Sequence, residues 1–253
     1  MAKHTDRYDT QNIVDLAKKD YESKQKNTIP SEIVTLTSRG NVYPKDHPLR
    51  SGKLEMRYMT AYDEDILTNA SYIQEGIVLD RLLQELVVSD IDFNELAQVD
   101  KDGLVINARI LSYGAEYPVS VTDPKSRKSL DRVVDLSKLS TKTMDIACDD
   151  LGEFTYSIGD SIIKFGYPNN AAYRQDIKIS EFLMLIIREI NGSRKDSDIE
   201  HFIQYEFLVK DSKKFQKYVL ENSPSILLEY EFEGEDGSTF TAGFQLGADL
   251  FWF

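Results

Sequence analysis

The spacing of large apolar residues changes several times along this chain, and each change marks an expected element. Leu54, Met56 and Tyr58 alternate with charged neighbours, the period of two that sets one face of a strand against a core. Thr60 then suits a helix cap, with Asp63 at the third helical position, where a carboxylate favours the positive helix end. From Leu79 the spacing lengthens: Leu79, Leu82, Leu83, Leu86 and Val87 follow i, i+3, i+4, i+7, i+8 and share one helix face. Leu104, Ala108 and Leu111 mark another helix, which Gly114 should stop in the left-handed conformation.

Alternation returns in the middle. Tyr117, Val119 and Val121, a polar tip from Asp123 to Ser129, and Val134 with Leu136 read as a hairpin. Phe154, Tyr156 and Ile158 precede Gly159-Asp160, a dipeptide suited to a two-residue turn, so a second hairpin should end near Phe165. Beyond Pro168 the helical period resumes: Leu183, Ile186, Ile187 and Ile190 share a face, and Asn191-Gly192 should end that helix. Ile199, Phe202 and Ile203, then Phe215, Tyr218 and Val219, predict two shorter helices separated by Asp211-Ser212 as caps. Ile226, Leu228, Tyr230 and Phe232 face away from Glu229, Glu231 and Glu233, and Glu235-Asp236-Gly237 turns the chain into Phe240, Ala242, Phe244 and Leu246.

The expected fold class is α+β, with helices between Ala61 and Gly114 and between Ser180 and Glu221 and antiparallel hairpins in the middle and at the C-terminus. Four segments follow. Residues 1–28 form a polar arm with too few large apolar groups to order by itself, apart from a short amphipathic helix near Ile13 to Tyr21. Residues 29–115 hold a loop (Leu36 to Gly52, with turns at Arg39-Gly40, Pro44 and Pro48), a strand and helices; residues 116–168 form a hairpin module; residues 169–253 are helices followed by the last hairpin.

Composition narrows the function. A chain of 253 residues, 41% hydrophobic, can bury a core without disulfides or metals. Its net charge of −13 opposes phosphate backbones and anionic lipid, so nucleic acid is excluded as a main partner. Membrane insertion is excluded too, because the longest apolar run, Phe182 to Ile187, falls far short of the roughly 20 residues a span needs. The polar start, Met1 to Tyr21, is unlike a secretory leader, and the lone Cys148 fits a reducing compartment, so the cytoplasm is the expected site of synthesis and residence.

Reactive constellations are sparse. Phosphate-cradling glycine loops and a G-x-S-x-G elbow are absent. His4, His47 and His201 are widely spaced, and His201 lacks a second histidine four residues on. Asp63-Glu64-Asp65, Asp100 with Asp102, and Asp149-Asp150 with Glu153 offer paired carboxylates of the kind glycosidic hydrolysis uses, but capped helix starts and solvated turns explain them better. The "DKDG" run at Asp100 to Gly103 lacks the further ligands of a calcium loop. No catalytic, cofactor-binding or metal-binding residue is therefore expected, no small-molecule substrate, and no enzyme.

The run "LTSRGNVYPKDHPLRSGKLEMRYMTAYDEDILTN" (Leu36 to Asn69), with its Arg-Gly turn, Tyr-Pro and Met-Thr leading to Glu-Asp-Ile-Leu, resembles the opening of the T4-like phage baseplate protein family. "GIVLDRLLQELVV", "DKDGLVINARILSYGAEYPVSV" and the terminal "LFWF" are similar to its later blocks, so the resemblance covers most of the chain from about Leu36. Thr37 stands where the family usually has proline, "DPKSRKS" replaces a Cys-Pro-x-Cys-like turn, and Phe253 ends the chain where relatives often have proline. The hairpin should survive without a metal clip, because alternation specifies its faces.

The resemblance implies a component of the baseplate hub, or of its assembly, that binds other baseplate and tail proteins and resides in the virion tail or, during assembly, in the host cytoplasm. It carries over no catalytic residue. A transient chaperone for the hub or the tape-measure protein is the alternative, and a tail-borne glycosidase a remote third. Leu250, Phe251, Trp252 and Phe253 are the candidate partner anchor, with packing into the chain's own core as the competing role. Arg39 and Tyr43 are further contact candidates, against a role in shaping their loop.

Overall fold

A computed structural model describes residues 29–169, 177–245 and 250–251. The expected helix at Ile13 to Tyr21 and the residues Leu246, Trp252 and Phe253 lie outside them. The fold is α+β, with helices packed on small antiparallel sheets, the largest of three strands.

Strands β1 (Ser31–Thr35) and β2 (Lys53–Arg57) pair with Val34 opposite Leu54. The sequence did not reveal β1, because Val34 alone is buried and Ile33 faces solvent, so "SEIVT" shows no alternation. Helices α1 (Ala61–Leu67), α2 (Ala70–Gln74), α3 (Val78–Leu86) and α4 (Gln98–Tyr113) follow. Thr60 caps α1 as expected, and Asp63 closes a capping box with it. On α3, Leu82, Leu83 and Leu86 are fully buried while Leu79 sits at the rim. Gly114 ends α4 at φ 85° and ψ 169°, so its backbone is extended rather than left-handed helical, though the positive φ still favours glycine.

Buried Arg109 ties that helix end to β3 (Glu116–Thr122) through the carbonyls of Gly114 (2.8 Å) and Glu116 (3.2 Å). The expected hairpin of β3 with β4 (Ser129–Asp135) forms, and a short β5 (Thr141–Lys142) leads to a second hairpin, β6 (Phe154–Ile158) with β7 (Ser161–Phe165).

The next segment corrects the sequence reading. Helix α5 (Ile179–Ile186) stops four residues early, and β8 (Ile187–Ile190) pairs with β7. Facing Phe165 with Ile187 and Lys164 with Glu189 leaves Arg188 as an extra residue, a bulge. That bulge puts Ile187 and Ile190, three residues apart, on one buried face and thereby imitates helical spacing. Asn191 and Gly192, both at positive φ, end this strand rather than a helix.

Helix α6 (Asp196–His201) runs into a π-helical turn (Phe202–Glu206), and α7 (Val209–Glu221) follows. Asp211 and Ser212 lie inside the first turn of α7, whose cap position is Leu208, so they do not separate the two helices. Finally β9 (Ser225–Ile226) pairs with β5, and β10 (Glu229–Glu233) with β11 (Thr239–Gly243).

Two apolar cores result. The larger gathers β1 to α4 with both long hairpins, from Val34 to Phe251; the smaller gathers the three-stranded sheet with α5 to α7, around Phe154, Phe165 and Phe215. Each fully buried large side chain contributes roughly 1.5–3 kcal/mol. The tips of the β3–β4 and β10–β11 hairpins clasp each other: Lys125 meets Asp236 (3.0 Å), Lys128 meets Glu235 (2.9 Å), and Arg132 donates to the Glu233 carbonyl (2.8 Å). Asp123, nearly buried, accepts the amides of Lys125 (2.7 Å), Ser126 (3.3 Å) and Glu235 (3.4 Å). The tip "DPKSRKS" is thus held by a carboxylate and ion pairs.

Candidate interaction surface

The loop from Leu36 to Gly52 is built against α4. Asp100, fully buried on that helix, accepts the Ser38 amide (2.6 Å), the Ser38 hydroxyl (2.7 Å) and the Tyr43 hydroxyl (2.7 Å). Tyr43 in turn accepts the Ala97 amide (3.0 Å). Desolvation raises the Asp100 pKa, with the Ser38 and Tyr43 hydrogen bonds working against it, and raises that of Tyr43 far above the usual phenol. His47 stacks on Tyr43 at 5.0 Å. Its Nδ1 accepts the Leu49 amide (3.1 Å), so Nε2 carries the proton donated to Glu95 (3.0 Å).

Arg39 takes a positive φ of 52° beside Gly40, and a Cβ on Gly40 would stand 2.4 Å from the Arg50 carbonyl, so two backbone strands touch here. Arg39 is exposed and remains available to a partner; Tyr43 is buried and belongs to the loop's interior, which corrects its place among contact candidates. "DKDG" is helical, and Gly103 is there because a Cβ would lie 2.2 Å from the Thr37 hydroxyl oxygen.

Between the two cores runs an open apolar groove of about 880 Å3. Leu67, Val105 and Ile106 line one side, Phe182, Ile186 and Val219 the other. Its start is fixed where the Gln98 amide donates to the Pro168 carbonyl (3.0 Å). Leu250 and Phe251 line the groove as well; at 6% and 4% exposure, with Phe251 edge-on to Tyr113, they pack into the chain's own core, the competing role weighed for them. They are not available as a projecting anchor, and Trp252 and Phe253 lie outside the described residues.

Polar groups in the groove are few. Gln98 Nε2 donates to Asp102 at 3.4 Å, while buried Gln98 Oε1 has no hydrogen-bond partner among the described residues. Asp102 reaches solvent, yet the apolar mass around it raises its pKa by desolvation, against the charge of Lys101 and the bond from Gln98. Lys101 is itself engaged by Asp80. Three of the lining residues, Ile73 (51%), Leu79 and Leu220 (72%), stay substantially exposed.

The acidic clusters are drawn into the architecture. Asp63 takes a bidentate contact from Arg57 (2.7 and 2.8 Å), both side chains nearly or fully buried, and accepts the Thr60 amide (2.7 Å). Asp149 accepts the amides of Leu151 and Glu153 and pairs with Lys164, each at 3.0 Å; Glu153 holds Arg194 through both oxygens (2.8 and 2.7 Å). Sequence reasoning missed the groove because its lining is drawn from segments between Leu67 and Phe251. The one local signal was Leu220, an apolar residue off the buried stripe of Ser212, Phe215 and Val219.

No helix among the described residues is long and apolar enough to cross a membrane. The family model for "T4 bacteriophage base plate protein" matches residues 20–239. No curated protein and no solved structure matches the chain.

Proposed function

This chain belongs to the T4 bacteriophage base plate protein family, and from that membership we propose that it is a structural subunit of the baseplate hub, working through contacts with other tail proteins. The observation that carries the reading is the open groove with exposed Ile73 and Leu220 at its edge. Apolar surface of this kind, rimmed by polar residues, is the usual mark of a protein interface. In this reading the protein makes and breaks no covalent bonds; the carboxylates at Asp63, Asp100, Asp149 and Glu153 spend their lone pairs on internal structure. Arg39, exposed on a loop braced by Asp100, supplies a second contact point.

Quantitative mass spectrometry of purified particles tests the proposal. A hub subunit is present at fixed stoichiometry with other baseplate proteins. Absence from particles, with recovery bound to a hub or tape-measure protein in infected cells, would replace it with a transient chaperone. Hydrolysis of peptidoglycan by the purified protein, lost in Asp149→Asn, would replace it with a glycosidase.

A further inference from the structure

The groove has walls of a definite kind. Val78 and Leu79 come from α3, Val105 and Ile106 from α4, Phe182 from α5 and Leu220 from α7. These helix walls have satisfied their own backbone groups and offer an incoming strand little to pair with; the rest of the lining, including Pro168, Pro224 and the two-residue β9, is loop and short strand, and an incoming helix needs no pairing with any of it. The groove also contains two polar features that its own lining leaves incomplete. Gln98 Oε1 is buried without a donor among the described residues; Asp102 feels the charge of Lys101, which pairs with Asp80, and takes a long bond from Gln98 at 3.4 Å. Leaving a buried acceptor unpaired is costly, so these two atoms favour an occupant that brings donors and positive charge.

Resting on the reading that the protein acts by contact within the baseplate, we infer that this groove is the docking site for an amphipathic helix of another baseplate protein. That helix lays a row of large apolar side chains against Val105, Phe182 and Leu220 and presents a lysine or arginine to Asp102 and Gln98. The basic group donates both to the carboxylate and to the free amide oxygen, completing what the apolar lining cannot. The net charge of −13 draws such a segment in and repels acidic ones.

The test uses the full chain and two synthetic helical peptides with the same leucine face, one with a lysine polar face and one with glutamate, followed by fluorescence anisotropy at low salt. The lysine peptide should bind at least about ten-fold more tightly than the glutamate peptide. Asp102→Asn should weaken it about three- to ten-fold and Leu220→Glu by more than about ten-fold, whereas Asp131→Asn, on the β4 strand, should leave it unchanged. Leu220 is mostly solvent-exposed, so its variant should keep its helical circular dichroism.

Equal binding of the two peptides, no binding of the lysine peptide, or affinity indifferent to both groove variants would each overturn the assignment. A photo-crosslinker at Leu220 in infected cells identifies the occupant. Capture of a basic amphipathic segment of another baseplate protein supports the inference; capture of Asn170 to Asp176 of the same chain, or of a second copy, refutes it. Failure of the hub reading is separable: a protein missing from virions that still binds the lysine peptide loses the hub role and keeps the groove.

Discussion

Replacing Tyr43 by phenylalanine removes one oxygen that serves two partners at once, donating to Asp100 at 2.7 Å and accepting the Ala97 amide at 3.0 Å. The ring still fits, so packing changes little. The Ala97 amide loses its acceptor inside the protein, which costs about 1–3 kcal/mol, and the charge-assisted bond to the carboxylate is lost with it. Because Asp100 keeps both Ser38 contacts at 2.6 and 2.7 Å, the carboxylate is not stranded, and the expected total is about 2–4 kcal/mol. Asp100→Asn should couple to it: the double mutant should fall short of the summed single costs by about 1–3 kcal/mol, as residues sharing a network do. Urea unfolding followed by circular dichroism measures all three variants, with unchanged slopes certifying a common two-state transition. A Tyr43→Phe cost below about 0.5 kcal/mol, or strict additivity with Asp100→Asn, would refute the account of Tyr43 as the loop's internal brace.

Gly103→Ala should destabilise the protein by about 1–3 kcal/mol although alanine is the better helix former, because its Cβ would meet the Thr37 oxygen at 2.2 Å; adding Thr37→Ala should restore most of the loss on the same urea curves. Acid titration should separate Asp63 from Asp100. Burial alone would raise the Asp63 pKa, but Arg57 and Thr60 outweigh it and hold it below 3.8; its contribution is therefore present above that value and lost as pH falls through the folded pKa, and Asp63→Asn should flatten this part of the stability–pH curve. Asp100, raised by burial, has the opposite sign: it favours folding progressively as pH falls through its folded pKa toward 3.8, a gain that Asp100→Asn should remove. Lys128→Ala, breaking an exposed pair at the hairpin tips, should cost less than about 1 kcal/mol, and the difference should shrink in high salt.

Where one periodicity ruled a segment, the sequence was legible. The α3 leucines, the Thr60 cap and the alternation of β3, β4 and β10 all form as their spacing predicts. Apart from local misreadings such as the Asp211-Ser212 caps, the larger failures depend on a partner far away in the chain. The bulge at Arg188 shows it best: Ile187 and Ile190 fit a helix face and a bulged strand equally well, and only the free edge of β7 decides between them. Asp100 read as part of a capped helix start or a solvated turn, and it does lie in the first turn of α4; its burial was illegible because Ser38 and Tyr43, which give it hydrogen bonds, lie 62 and 57 residues earlier. Gln98 and Asp102 carried no sign of a groove, because the opposing wall comes from α5 and α7. Leu250 and Phe251 could serve inside or outside on composition alone, and the choice required the cavity beside Tyr113.

The larger core spans Val34 to Phe251 and joins two hairpins whose tips are linked across more than a hundred residues, from Lys125 to Asp236. During translation, its early helices therefore wait with one apolar side uncovered until the last hairpin has left the ribosome. The buried members of the smaller core lie between Phe154 and Val219, and the residues packed around it, such as Val99 and Met144, come earlier still, so it can close sooner. Synthesis thus orders the two cores in time, and the groove between them acquires its second wall before its Leu250 and Phe251 lining arrives.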